Sequence, residues 1–456
     1  MPRLPPMPEL IRTLRLRDLL LLFVGSVIGS GIFRTPGPIL RQVGGSVGLS
    51  LLVWVVGGVL SLLGALTYAE LAAANPEAGG LYCYIRDGFG RLAAFLYGWC
   101  LFLVIASGSV AALARAFSEY LARVLPISPL EQNIAAVLMI GIVTAVNVWG
   151  TRKSSDLQNW TTLVKIGVIV ILSALILPLG QYGLYGRGVP YAVGITQHGL
   201  AMWSNFGLAM ITVLWAYEGW QFGTYSAGEV IDPQKAFPRA FLLGSLILVG
   251  LYLLAVFAYL FALGPHDMAV SDTVAAAAVT AVFGSWAGKI VALTILISTF
   301  SAANSVILTA PRVFYAMAND KLFFRKLAEV HPRFKTPAAA IIGLGVWSAV
   351  LVCAGELGSF SALIGGVVFI GWIFYGLGAA AIFPFRRARA GRPIPYRVPG
   401  YPWTPMLFVL AATAIVGNAI YLAFRDPSQF ENLAAAIMLF LIGLPAYFFW
   451  RKRANR

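Results

Sequence analysis

The sequence predicts an all-α membrane protein, and composition, apolar runs and the placement of basic residues predict it. Of 456 residues, 59% are hydrophobic and 11% charged, whereas a soluble domain holds about 25% charged residues. No soluble fold of this length hides so much apolar surface, so lipid must cover part of it. The apolar runs lack strand alternation and are too long for barrel strands, which excludes that class. The net charge of +15 comes from Lys and Arg in short segments between apolar runs. That pattern reads as membrane topology rather than as a nucleic-acid surface.

Crossing a bilayer takes about 20 apolar residues per helix. Twelve segments qualify: 18–42, 47–74, 88–124, 131–149, 157–179, 200–230, 240–263, 283–318, 337–355, 359–383, 403–424 and 431–450. The basic start (Arg3, Arg12, Arg15, Arg17) runs into the first without a small-residue cleavage site, so it is read as a retained helix. The first span is interrupted by Gly25-Ser26-Val27-Ile28-Gly29-Ser30-Gly31, and the sixth by Trp215-Ala216-Tyr217-Glu218-Gly219-Trp220. Helices 1 and 6 each open a block of five. Five is odd, so the second block starts from the opposite side of the membrane, which is a 5+5 inverted repeat with discontinuous helices 1 and 6, plus helices 11 and 12. The expected organisation is a tail over 1–17, a first repeat over 18–180, a second over 200–383, helices 11 and 12 over 403–450, and a tail over 451–456. With the N-terminus cytoplasmic, 25 of the 33 Lys and Arg fall on the inner side, so both termini are expected in the cytoplasm.

A broken helix exposes free N–H groups on one half and free C=O groups on the other. Such a break suits a molecule carrying both a carboxylate and an ammonium. In the first span, the N–H groups of Ser30 and Gly31 and the Ser30 hydroxyl suit the carboxylate, and the Val27 carbonyl suits the ammonium. In the sixth, the carbonyls of Trp215 and Glu218 complete the amine side. The alternative is that glycine-rich stretches only let helices pack closely; two breaks at equivalent repeat positions favour a substrate site. Gln221, one turn on, is a candidate for the substrate side chain. Ser107, with Gly108 and Ser109, is a candidate pocket lining on helix 3, or a packing position. The three cysteines (Cys83, Cys100, Cys353) and three histidines (His198, His266, His331) suit neither a disulfide framework nor a metal site. No metal or cofactor is expected.

Gly29-Ser30-Gly31-Ile32-Phe33 resembles the GSGIF motif of the amino acid–polyamine–organocation transporters. Tyr68-Ala69-Glu70-Leu71 with Pro76, Gly79-Gly80, Tyr82, Tyr84, Arg86 and Phe89-Gly90 resembles that family's first cytoplasmic loop. Arg312, Tyr315, Met317-Ala318, Asp320, Leu322-Phe323, His331-Pro332 and Thr336-Pro337 resemble its loop after helix 8. Tyr217-Glu218-Gly219-Trp220 is similar to the broken helix 6 of the L-amino acid transporter branch and its bacterial relatives. The resemblance runs from about residue 15 to 400. It implies a LeuT-type fold, alternating access, backbone capture of the substrate's α-carboxylate and α-amine, and Trp215 as an aromatic lid.

Lys165 lies in the middle of helix 5. It is either a snorkelling side chain or, as the resemblance implies, a tethered substitute for a sodium ion linking helices 1, 5 and 8, with Ser298 or Ser301 as its helix 8 partner. A buried ammonium is costly without a partner. Glu218 either faces the pocket, favouring a cationic substrate or binding a proton, or pairs with a neighbour behind the break. Glu70, Arg86, Asp87 and Glu229 suggest an inner gate or loop network. Arg386, Arg387, Arg389, Arg392 and Arg397 form a basic loop read as topology and lipid contact, and Tyr401, Trp403 and Trp450 as interfacial anchors. The loop over 124–131 has no cysteine, so the disulfide-linked heavy chain of eukaryotic L-amino acid transporters is not expected.

The leading expectation is a sodium-independent carrier of neutral L-amino acids in the cell (inner) membrane, an exchanger or proton-coupled. A cationic amino acid or polyamine carrier is the alternative within the class. A non-transporting amino acid sensor is a second class. An enzyme comes last, because no nucleophile–base pair, metal cluster or phosphate loop appears among the intramembrane residues.

Overall fold

A computed structural model describes residues 10–180, 200–354, 360–425 and 427–454. Arg3, Arg187 and His198 lie outside the described residues, as do the outermost parts of both expected tails. Every regular element described is helical, and one isolated bridge joins Leu14 to Val230.

The first expected span is α1 (Leu16–Val27), α2 (Gly31–Arg34) and α3 (Pro36–Gln42). The second is α4 (Val47–Ala74), whose first turn is capped by Ser46 accepting from the Leu49 N–H at 3.3 Å. The third begins later than expected. Leu81–Phe89, read as loop, is a separate helix (α5), set off by Gly80 and Gly90 at φ 43° and 90°. After Gly90 come α6 (Arg91–Cys100), a π-type turn over Leu101–Ile105, and α7 (Ala106–Leu121). Next are α8 (Pro129–Val148), entered through a Ser128–Glu131 capping box, and α9 (Thr151–Leu179). The sixth span is α10 (Leu200–Ala216), a turn, and a tight 3-10 helix over Trp220–Glu229.

The second half continues with α11 (Pro233–Val270), kinked where Gly264 takes φ 70°. A helix the sequence did not signal, α12 (Val274–Phe283), packs against α11 and α13. Pro311 divides the eighth span into α13 (Ala287–Thr309) and α14 (Pro311–Asn319). The chain ends with α15 (Ala338–Cys353), α16 (Phe360–Ala380), α17 (Ile382–Ala388), α18 (Trp403–Ala423) and α19 (Pro427–Ala454).

Among the described residues, nine helices are long and apolar enough to cross a membrane. Their outer faces carry the pattern lipid demands. On α8, Leu130, Ile134, Leu138 and Ile142 recur every four residues and all stay exposed. Similar exposed residues stand on α11 (Leu242, Leu246) and α19 (Ile437, Met438, Leu441). A water-soluble surface does not tolerate apolar patches of this extent; this is a multi-pass membrane protein. α1 sits at the centre, packed on α9, α11 and α13.

Candidate substrate site at the helix breaks

α1 runs to Val27, and Ile28 then leaves helical geometry at φ −72°, ψ 86°. Gly31 restarts the helix against a backbone: a Cβ there would stand 2.6 Å from the Cα of Ala216, where α10 ends. Gly219 takes φ 120°, a conformation open to glycine. A Cβ on Gly219 would in turn stand 2.8 Å from the Ser26 carbonyl oxygen. The Ser26 hydroxyl lies 3.0 Å from the Gly219 carbonyl. Each break is shaped to fit the other.

The two breaks leave polar groups facing a shared space. Among the described residues, the N–H groups of Ser30 and Gly31 have no protein acceptor, and the buried Ser30 hydroxyl has no partner. The carbonyls of Val27 and Ala216 both lie within reach of the Tyr252 hydroxyl, at 3.0 and 2.8 Å. The Trp215 carbonyl accepts the Glu218 N–H at 3.2 Å. A small cavity collects these groups: Ser26, Val27, Gly29, Ser30 and Gly31 from the first break, and Trp215, Glu218 and Phe222 from the second. Ser109 and Leu113 on α7, and Ala302 and Val306 on α13, close it. The room among them is about 30 Å3, near the share of one liquid water. A molecule of amino acid size therefore requires these helices to move apart.

Of the residues singled out in sequence, Val27, Ser30, Gly31, Trp215 and Glu218 line this space, while Gln221 and Ser107 do not. The 3-10 winding after Gly219 carries Gln221 behind Glu218, where its Nε2 donates to the Glu218 carboxylate at 2.6 Å; Phe222 takes the cavity face. On helix 3 the lining serine is Ser109 rather than Ser107, because the π-type turn over Leu101–Ile105 resets the register of α7. Residues 109 and 113, and 302 and 306, are i, i+4 pairs. That spacing was the available signal, but only packing reveals which face turns inward.

Glu218 answers to both of its sequence readings. It lines the cavity, and its Oε1 also accepts the Tyr375 hydroxyl at 2.5 Å and the Gln221 amide at 2.6 Å. Tyr375, on α16, carried no sequence signal.

Lys165 on α9 is 0% exposed, so its ammonium does not snorkel to water. It donates to the carbonyls of Gly25 and Ile28 at 2.7 and 2.8 Å. These are carbonyls at the end of α1, the first released by the missing helical turn. Ser298 on α13 reaches the same place, with its hydroxyl 3.0 Å from the Ile28 and Gly29 carbonyls. Ser301 points elsewhere and accepts from Thr161 at 2.8 Å. The helix 8 residue sharing a carbonyl with Lys165 is thus Ser298.

The charges named for an inner network separate into clusters. Glu229 and Arg312, both fully buried, pair at 2.9 Å, with Thr151 donating to the carboxylate at 3.1 Å. Arg86 reaches Asp87, Glu77 and Asp320. Burial opposes the Arg86 charge, but the hydrogen bonds it donates to Asp87 and Glu77 prevail and hold its pKa above the ordinary value. Glu70 takes a bidentate grip from Arg386 at 2.7 and 2.6 Å and the Val398 N–H at 2.6 Å. Arg386 also lies 3.7 Å over the Tyr401 ring, so it serves an internal contact and not the lipid surface expected of its loop.

The profile of the amino acid permease family matches residues 14–444. The chain belongs to this family. It is a transporter of amino acids and not an enzyme. It is 30% identical to the serine/threonine exchanger SteT of Bacillus subtilis, covering 95% of both chains. It is also 30% identical to the human large neutral amino acids transporter small subunit 2, over 95% of this chain and 79% of that one. Identity to the rat b(0,+)-type amino acid transporter 1 is 29%, over 94% and 85%.

Proposed function

We propose that this permease carries neutral L-amino acids without sodium, as an exchanger or with protons, by alternating access on a LeuT-type 5+5 inverted repeat. In this reading, residues 18–180 and 200–383 are the two repeats, helices 11 and 12 stand outside them, and the protein lies in the cell (inner) membrane with both termini cytoplasmic. The observation that carries it is the facing pair of breaks. Unpartnered N–H groups of Ser30 and Gly31 suit an α-carboxylate, and the break carbonyls with Glu218 suit an α-amine. Ser109, Trp215 and Phe222 border the space left for the side chain. Sodium independence is supported by Lys165, whose Nζ sits on the α1 break carbonyls. The printed activities of the relatives, serine/threonine exchange and large neutral amino acid transport, favour small or neutral side chains. No disulfide-linked heavy chain is proposed, since residues 124–131 hold no cysteine.

The Glu218 carboxylate on the cavity wall favours a second reading, a cationic amino acid or polyamine as substrate. Uptake by purified protein in liposomes separates these. Neutral amino acids are expected to enter equally with and without sodium, and counterflow against trapped substrate distinguishes exchange from proton-driven uptake. Strict sodium dependence would reject the proposal, saturable uptake of lysine or putrescine alone would favour the second reading, and binding without flux would indicate a sensor.

A further inference from the structure

A second cavity, about 770 Å3, lies at the opposite end of α1 from the helix break, between residues 12–18, the start of α9 and Ile231. Its wall carries the guanidinium groups of Arg12, Arg15, Arg17 and Arg152 against the carboxylates of Asp18 and Asp156. Arg152 engages both acids, reaching Asp18 at 2.8 Å. Among the described residues, the guanidinium groups of the exposed Arg12, Arg15 and Arg17 form no ion pair, although the Arg15 backbone N–H donates to Asp18 at 2.9 Å.

Two further polar groups point to a ligand. Asn159 is 6% exposed, and its amide donates to Asp18 at 2.7 Å, which fixes its Oδ1 as an acceptor. That Oδ1 and the Thr13 hydroxyl, both from cavity-lining residues, are buried without a partner. Beside them Trp160 stands 72% exposed, and Leu163, Val164 and Ile171 continue an exposed apolar face along α9. An exposed tryptophan at the head of such a face marks the lipid–water boundary.

We propose that this cavity is the headgroup site of an anionic phospholipid bearing a headgroup hydroxyl, of the phosphatidylglycerol type. The unpaired guanidinium groups hold the phosphate. The hydroxyl donates to Asn159 Oδ1, and an acyl chain lies on Trp160, Leu163, Val164 and Ile171. Free phosphate shares the charge chemistry but has no use for the apolar face. Because Leu14 bridges to Val230 and the Thr13 and Leu14 N–H groups donate to the Glu229 carbonyl at 2.9 Å, the lipid ties the base of α1 to α9 and strengthens closure at this end.

Native mass spectrometry of the purified full chain with mixed lipids tests this. The wild type is expected to retain one phosphatidylglycerol in preference to phosphatidylcholine by about tenfold or more, and Arg12→Gln/Arg17→Gln to lose that preference while Arg12→Lys/Arg17→Lys keeps it. Trp160→Ala weakens retention, and phosphatidylmethanol, which lacks the hydroxyl, binds about tenfold less tightly. Equal retention of both lipids, an unaffected Gln double variant, or equal binding of phosphatidylmethanol would overturn the proposal. So would displacement of the lipid by millimolar inorganic phosphate with no effect of Trp160→Ala, which would mark a free-anion site. An identical gel-filtration profile for the Gln and Lys pairs excludes misfolding as the cause.

Discussion

At the residue scale, the proposed function places its weight on two buried side chains, Lys165 and Glu218. Lys165 replaces helical N–H donors that the break in α1 removed: it donates to the Gly25 carbonyl and shares the Ile28 carbonyl with Ser298. A hydrogen bond to a charged group is worth about 1.5–3 kcal/mol. Lys165→Ala is accordingly expected to cut liposome uptake by at least about tenfold with normal membrane expression; full uptake would dismiss the coupling role. Glu218 sits with one oxygen held by Tyr375 and Gln221 and its side chain on the cavity wall. Glu218→Gln preserves shape but removes the carboxylate beside the proposed position of the substrate amine. It is expected to raise KM by about tenfold and to change kcat less, and an unchanged KM in a transport titration would place the carboxylate outside recognition.

At the element scale, the broken helices are a matched pair. Gly31 permits α2 to touch Ala216, and Gly219 permits the turn after α10 to touch Ser26. A side chain at Gly219 meets both a positive φ and a backbone carbonyl. Such strain costs about 1–3 kcal/mol. Gly219→Ala is expected to lower the thermal unfolding midpoint in detergent by several degrees and to abolish uptake, whereas Gly250→Ala, which has open space around it, should do neither. Equal melting of the two variants would argue that the breaks are not mutually fitted. The breaks themselves were legible from Gly29-Ser30-Gly31 and Glu218-Gly219. Their inward faces were less so. Gln221 was expected at the substrate and Phe222 was not, because the 3-10 winding after Gly219 differs from the even helical period that a sequence reading assumes. α5 and α12 were missed for a different reason: at 9 and 10 residues both are too short to give an apolar run of spanning length.

At the scale of the whole molecule, a buried ion pair joins three parts of the chain and is proposed to hold one end closed. Glu229 ends the sixth span, Arg312 opens α14, and Thr151 opens α9. The N-terminal segment adds backbone bonds to the Glu229 carbonyl. Removing one member of such a pair costs about 3–5 kcal/mol of the state that buries it. Glu229→Gln is therefore expected to shift the protein toward the conformation open at this end. The measure is a cysteine placed at Val306 in a Cys353→Ser background, which should react faster with a thiol reagent added from that side. An unchanged labelling rate would show that this pair does not gate.

The sequence by itself determined what is summed over many residues or confined to a short motif. Composition required lipid as solvent, the length of the apolar runs located most helices, and glycine clusters marked where two of them break. Only the tertiary structure decided pairings. It chose Ser298 over Ser301 beside Lys165, set Tyr375 against Glu218, and drew Arg386 from its basic loop to Glu70. Hydropathy and backbone conformation are properties of the local chain. Which side chain meets which carbonyl depends on the rotation and approach of helices that lie as far as 340 residues apart in sequence, and no local pattern encodes that.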